Sequence, residues 1–244
     1  MKYRVGKVAY LNTLPLFYRW DAPEVELVDG HPSDLVRKLR YGEIHAGIVS
    51  SVEYLMNSHL YTYVPDVSIS SRDRVCSVLL FSKTEISSIK TVYLTSNSLT
   101  SRLLCIHILE DVYGISPNYT ESMSQADAIL LIGDEALSQK RLGLYPFVYD
   151  LGHEWKKAYN LPFVFALFLV RKEYHPELTE IIHRLCLVSK EVFYRDLKEG
   201  KISSQLVDVN EYFLDCLHLG LGPAEERSLE LFMKILERRG YIRT

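Results

Sequence analysis

The stretch that decides the fold reads Val8-Ala9-Tyr10-Leu11-Asn12-Thr13-Leu14-Pro15-Leu16. It completes an apolar segment at residues 3–9, whose composition predicts a first β-strand. Pro15 suits the first turn of a helix, where its missing N–H costs nothing, and Thr13 is the expected N-cap. Asn12 is therefore expected at the carboxyl end of a strand beside a helix N-terminus. There it either satisfies the turn or meets a ligand.

Outward from this stretch, predicted strands and helices alternate with short joins. Segments 25–28, 46–49 and 78–81 predict further strands, while Pro32-Ser33-Asp34 and Ser50-Ser51 begin predicted helices. This alternation is typical of a parallel sheet with helices on both faces.

A second alternating pattern follows a short polar segment at residues 82–90. Its predicted strands lie at 92–94, 128–132 and 147–149. The apolar run 164–170 is too short to span a bilayer, so it predicts a central strand that returns the chain to the first lobe. Helices are expected after it at about 176–197, 203–217 and 223–239.

The sequence therefore predicts an α/β fold of two lobes, one inserted into the other. The first lobe is expected at residues 1–84 and 170–244, with the C-terminal helices bracing it, and the second at residues 85–169. Two segments would join the lobes, and such lobes close on a ligand by a hinge.

Composition excludes several classes of function. Hydrophobic residues make up 48% and charged residues 24% of the 244, which is typical of a soluble globular protein. A net charge of −3 gives no general attraction for nucleic acids or acidic membranes, so neither is an expected partner. Met1-Lys2-Tyr3-Arg4 leads straight into a strand without an apolar signal segment, which favours a cytoplasmic location.

No cofactor or metal site is expected from the motifs. The four cysteines are widely spaced and form no C-x-x-C pair, so buried free thiols are expected rather than disulfides or zinc ligands. They are Cys76, Cys105, Cys186 and Cys216. The eight histidines lack metal-binding spacing, and there is no phosphate loop, dinucleotide fingerprint or G-x-S-x-G motif.

Polar residues recur where a predicted strand meets a predicted helix. They are Asn12-Thr13, Ser50-Ser51, Ser98 with Thr100-Ser101, and Gly133-Asp134. Hydroxyls and free N–H groups at such places can hold a carboxylate without lysine or arginine, but the same residue types are ordinary helix caps. For Asp134 we expect capping, because a carboxylate would repel an anionic substrate. The residues alone thus predict a two-lobed binder of a small anionic molecule.

Seven segments, in order and spacing across about residues 3–171, resemble the chorismate dehydratases of the futalosine route to menaquinone. Besides the opening stretch, they are Ser50-Ser51-Val52-Glu53-Tyr54-Leu55, Ser77-Val78-Leu79-Leu80-Phe81-Ser82, Ser98-Leu99-Thr100-Ser101, Leu131-Ile132-Gly133-Asp134, Asp150-Leu151-Gly152 and Leu161-Pro162-Phe163-Val164-Phe165-Ala166. The resemblance implies a type II periplasmic-binding-protein-like fold used as a cytoplasmic lyase. The implied reaction is loss of water from chorismate to give 3-[(1-carboxyvinyl)oxy]benzoate, without a cofactor.

The resemblance also implies roles for individual residues. Asn12 and Ser77 would lie at the reacting substrate. The implied substrate-binding residues are Tyr10, Thr13, Ser50, Ser51, Ser98, Thr100 and Ser101. Because no protein base is evident, we expect the substrate's own enolpyruvyl carboxylate to take the proton while Asn12 orients it.

One position departs from the family pattern, and two alternatives stay open. His153 occupies a place where the motif Asp-Leu-Gly-x-x-Trp leads us to expect an acidic residue; this is either a tolerated surface change or a site with altered acid–base behaviour. The first alternative function is dihydroxynaphthoate synthase, the sister enzyme of the same pathway. The second is a cytoplasmic small-anion-binding protein without catalysis. The opening Tyr10-Leu11-Asn12-Thr13 favours the dehydratase.

Overall fold

The computed structural model describes residues 2–242, which contain ten strands and eight α-helices. The strands are β1 (Tyr3–Lys7), β2 (Val25–Asp29), β3 (Ala46–Ser50), β4 (Tyr61–Ser71), β5 (Val78–Ser82), β6 (Thr91–Leu94), β7 (Asn118–Thr120), β8 (Ala128–Ile132), β9 (Phe147–Asp150) and β10 (Phe163–Arg171). The helices are α1 (Leu14–Phe17), α2 (Pro32–Arg40), α3 (Ser51–Asn57), α4 (Leu99–His107), α5 (Gly133–Leu142), α6 (Leu151–Tyr159), α7 (Glu177–Lys198) and α8 (Pro223–Arg238). None of these helices has both the length and the apolar character needed to cross a membrane.

Two five-stranded sheets form the cores of two lobes. The first has the order β2-β1-β3-β10-β4 and the second β7-β6-β8-β5-β9. In the first sheet β1 runs parallel to β2 and β3, while β10 runs antiparallel between β3 and β4. The second sheet repeats this plan, with β5 antiparallel between β8 and β9. The predicted α/β fold with two sheets is confirmed.

The chain passes between the sheets twice. Residues 72–77, the crossing segment, lead from β4 to β5, and residues 160–162 lead from α6 back to β10. The apolar run 164–170 forms the predicted central strand of the first sheet. The predicted boundaries at residues 84 and 169 fall later than both changes of sheet, because β5 already pairs in the second sheet and β10 begins at Phe163.

The opening stretch folds as a strand followed by two short helical turns. β1 ends at Lys7, a turn follows at Leu11–Thr13, and α1 carries Pro15 in its first turn as predicted. Thr13 does not cap the helix through its side chain, contrary to expectation. Its hydroxyl instead donates a hydrogen bond of 2.7 Å to the carbonyl of Val8. Thr13 already has helical backbone angles, so its side chain does not reach the free N–H groups of α1.

The C-terminal region contains two of the three predicted helices, α7 and α8. The middle prediction, residues 203–217, is wrong over residues 203–208, which are irregular; residues 209–210 and the turn Glu211–Cys216 are helical. Asp208 explains this late start, because its carboxylate accepts hydrogen bonds from the backbone N–H groups of Asn210 and Glu211. We call Glu211–Cys216 the C-terminal turn.

A disulfide corrects the expectation of four free thiols. Cys76 of the crossing segment is bonded to Cys216 of the C-terminal turn, 140 residues later, whereas Cys105 and Cys186 are buried free thiols. The fold brings the Cα atoms of the bonded pair to 5.8 Å, a proximity that the sequence spacing does not reveal.

The C-terminal helices contact both lobes. α7 packs on α1 and β4 of the first lobe, where the buried carboxylate of Asp196 accepts hydrogen bonds from Tyr18 and Arg19. α8 packs on β10, and Arg239 just beyond it pairs with Asp111 in the second lobe. The C-terminal region therefore braces the first lobe and also ties it to the second.

Candidate active site

A cleft with about 530 Å³ of empty volume lies between the lobes, beside the carboxyl ends of β1 and β3. Seven of the nine predicted site residues line it: Tyr10, Asn12, Thr13, Ser50, Ser77, Ser98 and Ser101. Apolar side chains, among them Ile48, Ile69 and Phe165, form the rest of the wall. The residues that the sequence placed on separate elements thus meet at one site.

The described residues that line the cleft carry no formal charge. Tyr10 alone among them has a side chain that titrates in the ordinary range, and burial raises its pKa, as do the carboxylates of Glu135 and Asp134. Tyr10 therefore stays protonated at neutral pH. An anionic ligand in this cleft would be held by neutral donors and helix dipoles rather than by a cation.

Asn12 has a buried, unpaired side-chain oxygen in the wall of the cleft. It lies within the turn Leu11–Thr13, and its Oδ1 atom is buried without a hydrogen-bond partner among the described residues. A buried polar atom left unpaired costs about 1–3 kcal/mol. Such atoms are rare in folded proteins, and one that borders a cleft indicates a place for a ligand.

Ser77 is buried at the end of the crossing segment and lines the cleft. Its Oγ accepts a hydrogen bond of 2.9 Å from the hydroxyl of Tyr212, and its carbonyl accepts one of 2.8 Å from the N–H of Gly133. Tyr212 is a residue that sequence reasoning missed, because residues 203–217 were expected to form a packing helix without chemistry.

Asp150 holds the backbone that leads to Ser77. Its carboxylate caps α6 through the N–H of Gly152 and also accepts hydrogen bonds from the N–H groups of Val75, at 3.0 Å, and Cys76, at 2.7 Å. Burial raises the pKa of Asp150, while these backbone donors act to lower it. The sequence identified this residue only as part of a turn, since its partners lie 74 and 75 positions earlier.

Three serines meet at the amino end of α4. Ser98 is the N-cap, and its Oγ accepts hydrogen bonds from the N–H and the hydroxyl of Ser101. Across the cleft, Ser50 Oγ lies 3.3 Å from Ser98 Oγ. The positive end of the α4 dipole therefore borders the cleft, where it favours a carboxylate.

Ser51 and Thr100, the other two predicted site residues, do not line the cleft. Both are fully buried between the lobes, and Thr100 Oγ1 accepts a hydrogen bond of 3.0 Å from the N–H of Val52. Ser51 donates to the carbonyl of Val164 at 2.8 Å. We call Ser51, Val52 and Thr100 the latch, because they join α3 of one lobe to α4 of the other.

A second interlobe contact lies beside the cleft. Asp134 was expected to cap α5 but does not; its carboxylate accepts a hydrogen bond of 3.0 Å from the N–H of Leu11, and burial raises its pKa. Gly133 beside it has φ +58°, and a Cβ there would lie 2.7 Å from the ring of Tyr10. Only glycine suits this position. Two separate sets of hydrogen bonds therefore join the lobes, the latch and the contact between Asp134 and Leu11.

Two further features lie outside the cleft. His153 is half exposed and its Nδ1 lies 2.7 Å from the carboxylate of Asp73 at the surface. Cys76, Glu211 and Cys216 bring potential metal-ligating atoms within 4.8 Å of one another, but the two sulfurs are bonded to each other and provide no thiolate.

Two α/β lobes, two crossings and a cleft between them define a periplasmic-binding-protein-like type II fold. Solved structures agree with this class. The alkanesulfonate-binding protein SsuA from Xanthomonas axonopodis pv. citri gives a TM-score of 0.70 at 12% identity, covering 100% of this chain and 94% of that one. Protein AF1704 from Archaeoglobus fulgidus gives 0.70 at 19% identity, covering 99% and 98%.

The chain belongs to the menaquinone biosynthesis family, whose sequence model matches residues 3–238. A chorismate dehydratase from Thermus thermophilus is 31% identical over 196 residues, which are 71% of this chain and 72% of that protein. A chorismate dehydratase from Campylobacter jejuni is 26% identical over 240 residues, 94% and 95% of the two chains. The family resemblance noted in the sequence is confirmed.

Proposed function

We propose that this protein is a chorismate dehydratase that converts chorismate into 3-[(1-carboxyvinyl)oxy]benzoate and water, as a step of the futalosine route to menaquinone. The unpartnered Oδ1 of Asn12 in an uncharged cleft is the observation that carries this proposal. Membership of the menaquinone biosynthesis family and the names of the two similar relatives support it.

The reaction suits a site without a charged side chain. One ring carbon loses a proton, its neighbour loses the hydroxyl group, and the two leave together as water. The ring becomes aromatic, so the products are strongly favoured. The protein then has to hold the substrate in a reactive geometry and stabilise the charge that develops as the hydroxyl departs.

Asn12 has the atoms that this orientation requires. A carboxamide both accepts and donates hydrogen bonds, so Oδ1 can accept a hydrogen bond from the substrate's ring hydroxyl while Nδ2 donates one to its enolpyruvyl carboxylate. That carboxylate takes the ring proton and passes it to the departing hydroxide, so that water leaves and the carboxylate is regenerated. No described side chain in the wall offers an alternative base, since the pKa of Tyr10 is raised and the remaining polar groups are hydroxyls and an amide.

The substrate's carboxylates need partners in a cleft whose described lining residues include no lysine or arginine. The amino end of α4, with Ser98 and Ser101, and the hydroxyl of Ser50 opposite it are the groups we assign to one of them. Ser77 is the second group that we place at the reacting carbons, because it is buried and lines the cleft.

Incubation of the purified protein with chorismate, followed by proton NMR, tests the proposal. We expect chorismate signals to decline with matching growth of the aromatic product, above the rate in a sample with heat-inactivated protein. Binding without turnover would instead support the small-anion-binding protein. If chorismate is neither bound nor converted, the result favours dihydroxynaphthoate synthase, the sister enzyme.

A further inference from the structure

The hydroxyl of Ser77 is held by a residue of the C-terminal turn. Tyr212 comes from the C-terminal turn, 135 residues later, and its O–H donates to Ser77 Oγ at 2.9 Å. Both side chains are buried, at 2% and 1% exposure. The remaining protein partner of the Ser77 hydroxyl is the carbonyl of Val75 at 3.4 Å, which is a long and weak acceptor contact.

The protonation of Tyr212 fixes the direction of this hydrogen bond. Burial raises the pKa of Tyr212, and the nearby carboxylates of Asp134 and Asp150 raise it further, whereas the Ser77 contact acts to lower it. Tyr212 is therefore a neutral phenol and the donor at neutral pH. Because the Ser77 oxygen accepts this hydrogen bond, its own hydrogen is available for donation, either to the distant carbonyl of Val75 or to a ligand in the cleft.

The C-terminal turn is itself anchored close to this contact. Phe213, next to Tyr212, packs edge-on against Phe193 of α7 with ring centroids 4.7 Å apart. At the end of the turn, Cys216 is bonded to Cys76, the residue that precedes Ser77. A covalent bond and a buried hydrogen bond thus join the same two segments, and both limit how far Ser77 Oγ can move relative to Tyr212.

We propose that Tyr212 is a positioning residue: it fixes the Ser77 hydroxyl as a hydrogen-bond donor towards the substrate's departing hydroxyl group. This inference rests on the proposed function, because Ser77 must act on the substrate for its orientation to matter. Tyr212 itself does not line the cleft, so it acts through Ser77 alone.

The test is a double-mutant cycle of Tyr212→Phe and Ser77→Ala, measured by single turnover of chorismate with protein in excess so that low rates are quantified. Phenylalanine keeps the buried ring and removes only the hydroxyl. We expect Y212F to lower the single-turnover rate about tenfold with less than about a twofold change in the half-saturating protein concentration, and to have no further effect when S77A is already present.

Tyr194→Phe is the matched control. Its hydroxyl makes only a 3.4 Å contact with the carbonyl of Phe213, one residue from Tyr212, so we expect its rate to stay within about twofold of wild type. A Y212F effect of equal size with and without S77A would show a merely structural role. An unaffected Y212F beside an active wild type would overturn the role of Tyr212 alone, whereas an inactive wild type would overturn the proposed function and this inference together.

Discussion

The wall of the cleft and the latch are built from the same residue types at the same kind of place, where strands end and helices begin. They differ in how their polar atoms are satisfied. In the latch, Ser51 donates to Val164 and Thr100 accepts from the N–H of Val52. In the wall, Asn12 keeps a buried oxygen without a partner. Among the described residues that line the cleft, Asn12 is the one with a buried side-chain atom left unpaired, whereas the latch hydroxyls are paired within the protein.

The two regions also divide the energetic tasks. An unpaired buried carbonyl oxygen costs about 1–3 kcal/mol in the empty protein, and that cost is relieved when a ligand supplies the donor. The latch hydrogen bonds contribute at most a similar amount to closure of the lobes. Substitutions in the wall should therefore change the chemistry, and substitutions in the latch should change the closing equilibrium.

The largest effect is expected from Asn12→Ala. We expect kcat/KM for chorismate to fall by about two to three orders of magnitude, on the scale of losing one oriented donor or acceptor at a developing charge. The melting temperature should stay at or above that of wild type, because Oδ1 has no partner to lose. Calorimetric melting and steady-state kinetics measure both. Full turnover in this variant would remove Asn12 from the mechanism.

A smaller effect, on stability, is expected from Cys216→Ser. The disulfide closes a loop of 140 residues, so its loss should lower the free energy of unfolding by about 2–5 kcal/mol, measured by urea denaturation. A reductant should destabilise wild type by the same amount and leave C216S unchanged. If a reductant does not lower the free energy of unfolding of wild type, the disulfide does not stabilise the fold.

Thr100→Val should have the smallest effect of the three substitutions. It should weaken closure of the lobes rather than slow the chemical step. Valine keeps the shape but leaves the buried N–H of Val52 unpaired in the closed form, at a cost of about 1–2 kcal/mol. We expect the dissociation constant for chorismate to rise by up to about tenfold, with kcat within about twofold of wild type.

Thr179→Val provides the control for the latch. Thr179 of α7 is also buried, but its hydroxyl contacts His175, which precedes that helix, and neither residue lines the cleft. Thr179→Val should lower the free energy of unfolding without changing the affinity for chorismate. Equal losses of affinity in the two threonine variants would contradict the latch.

Much of the fold could be predicted from the sequence because its signals are local. The apolar run at residues 164–170 fixes a buried strand, and Pro15 fixes the first turn of α1. The change of sheet at the crossing segment was misplaced, since β5 is apolar on both faces and carries no sign of which sheet it joins.

The candidate site was only partly predictable, because its discriminating contacts are long-range. Ser51 and Ser50 are adjacent serines, yet one is consumed in the latch and the other borders the cleft. The Cys76–Cys216 bond and the contact between Tyr212 and Ser77 join residues 140 and 135 positions apart. No spacing rule connects such positions, so they emerge only once both lobes and the C-terminal turn are placed.

We infer that uncharged groups of the cleft position a substrate that brings its own base. The pH dependence of kcat for chorismate tests it most directly, because a protein base would impose its own ionisation on the rate. We predict a flat profile from about pH 6 to about pH 9, since substrate carboxylates are ionised throughout and Tyr10, with its raised pKa, remains protonated. A profile that rises by a factor of ten per pH unit anywhere in this interval would contradict the account.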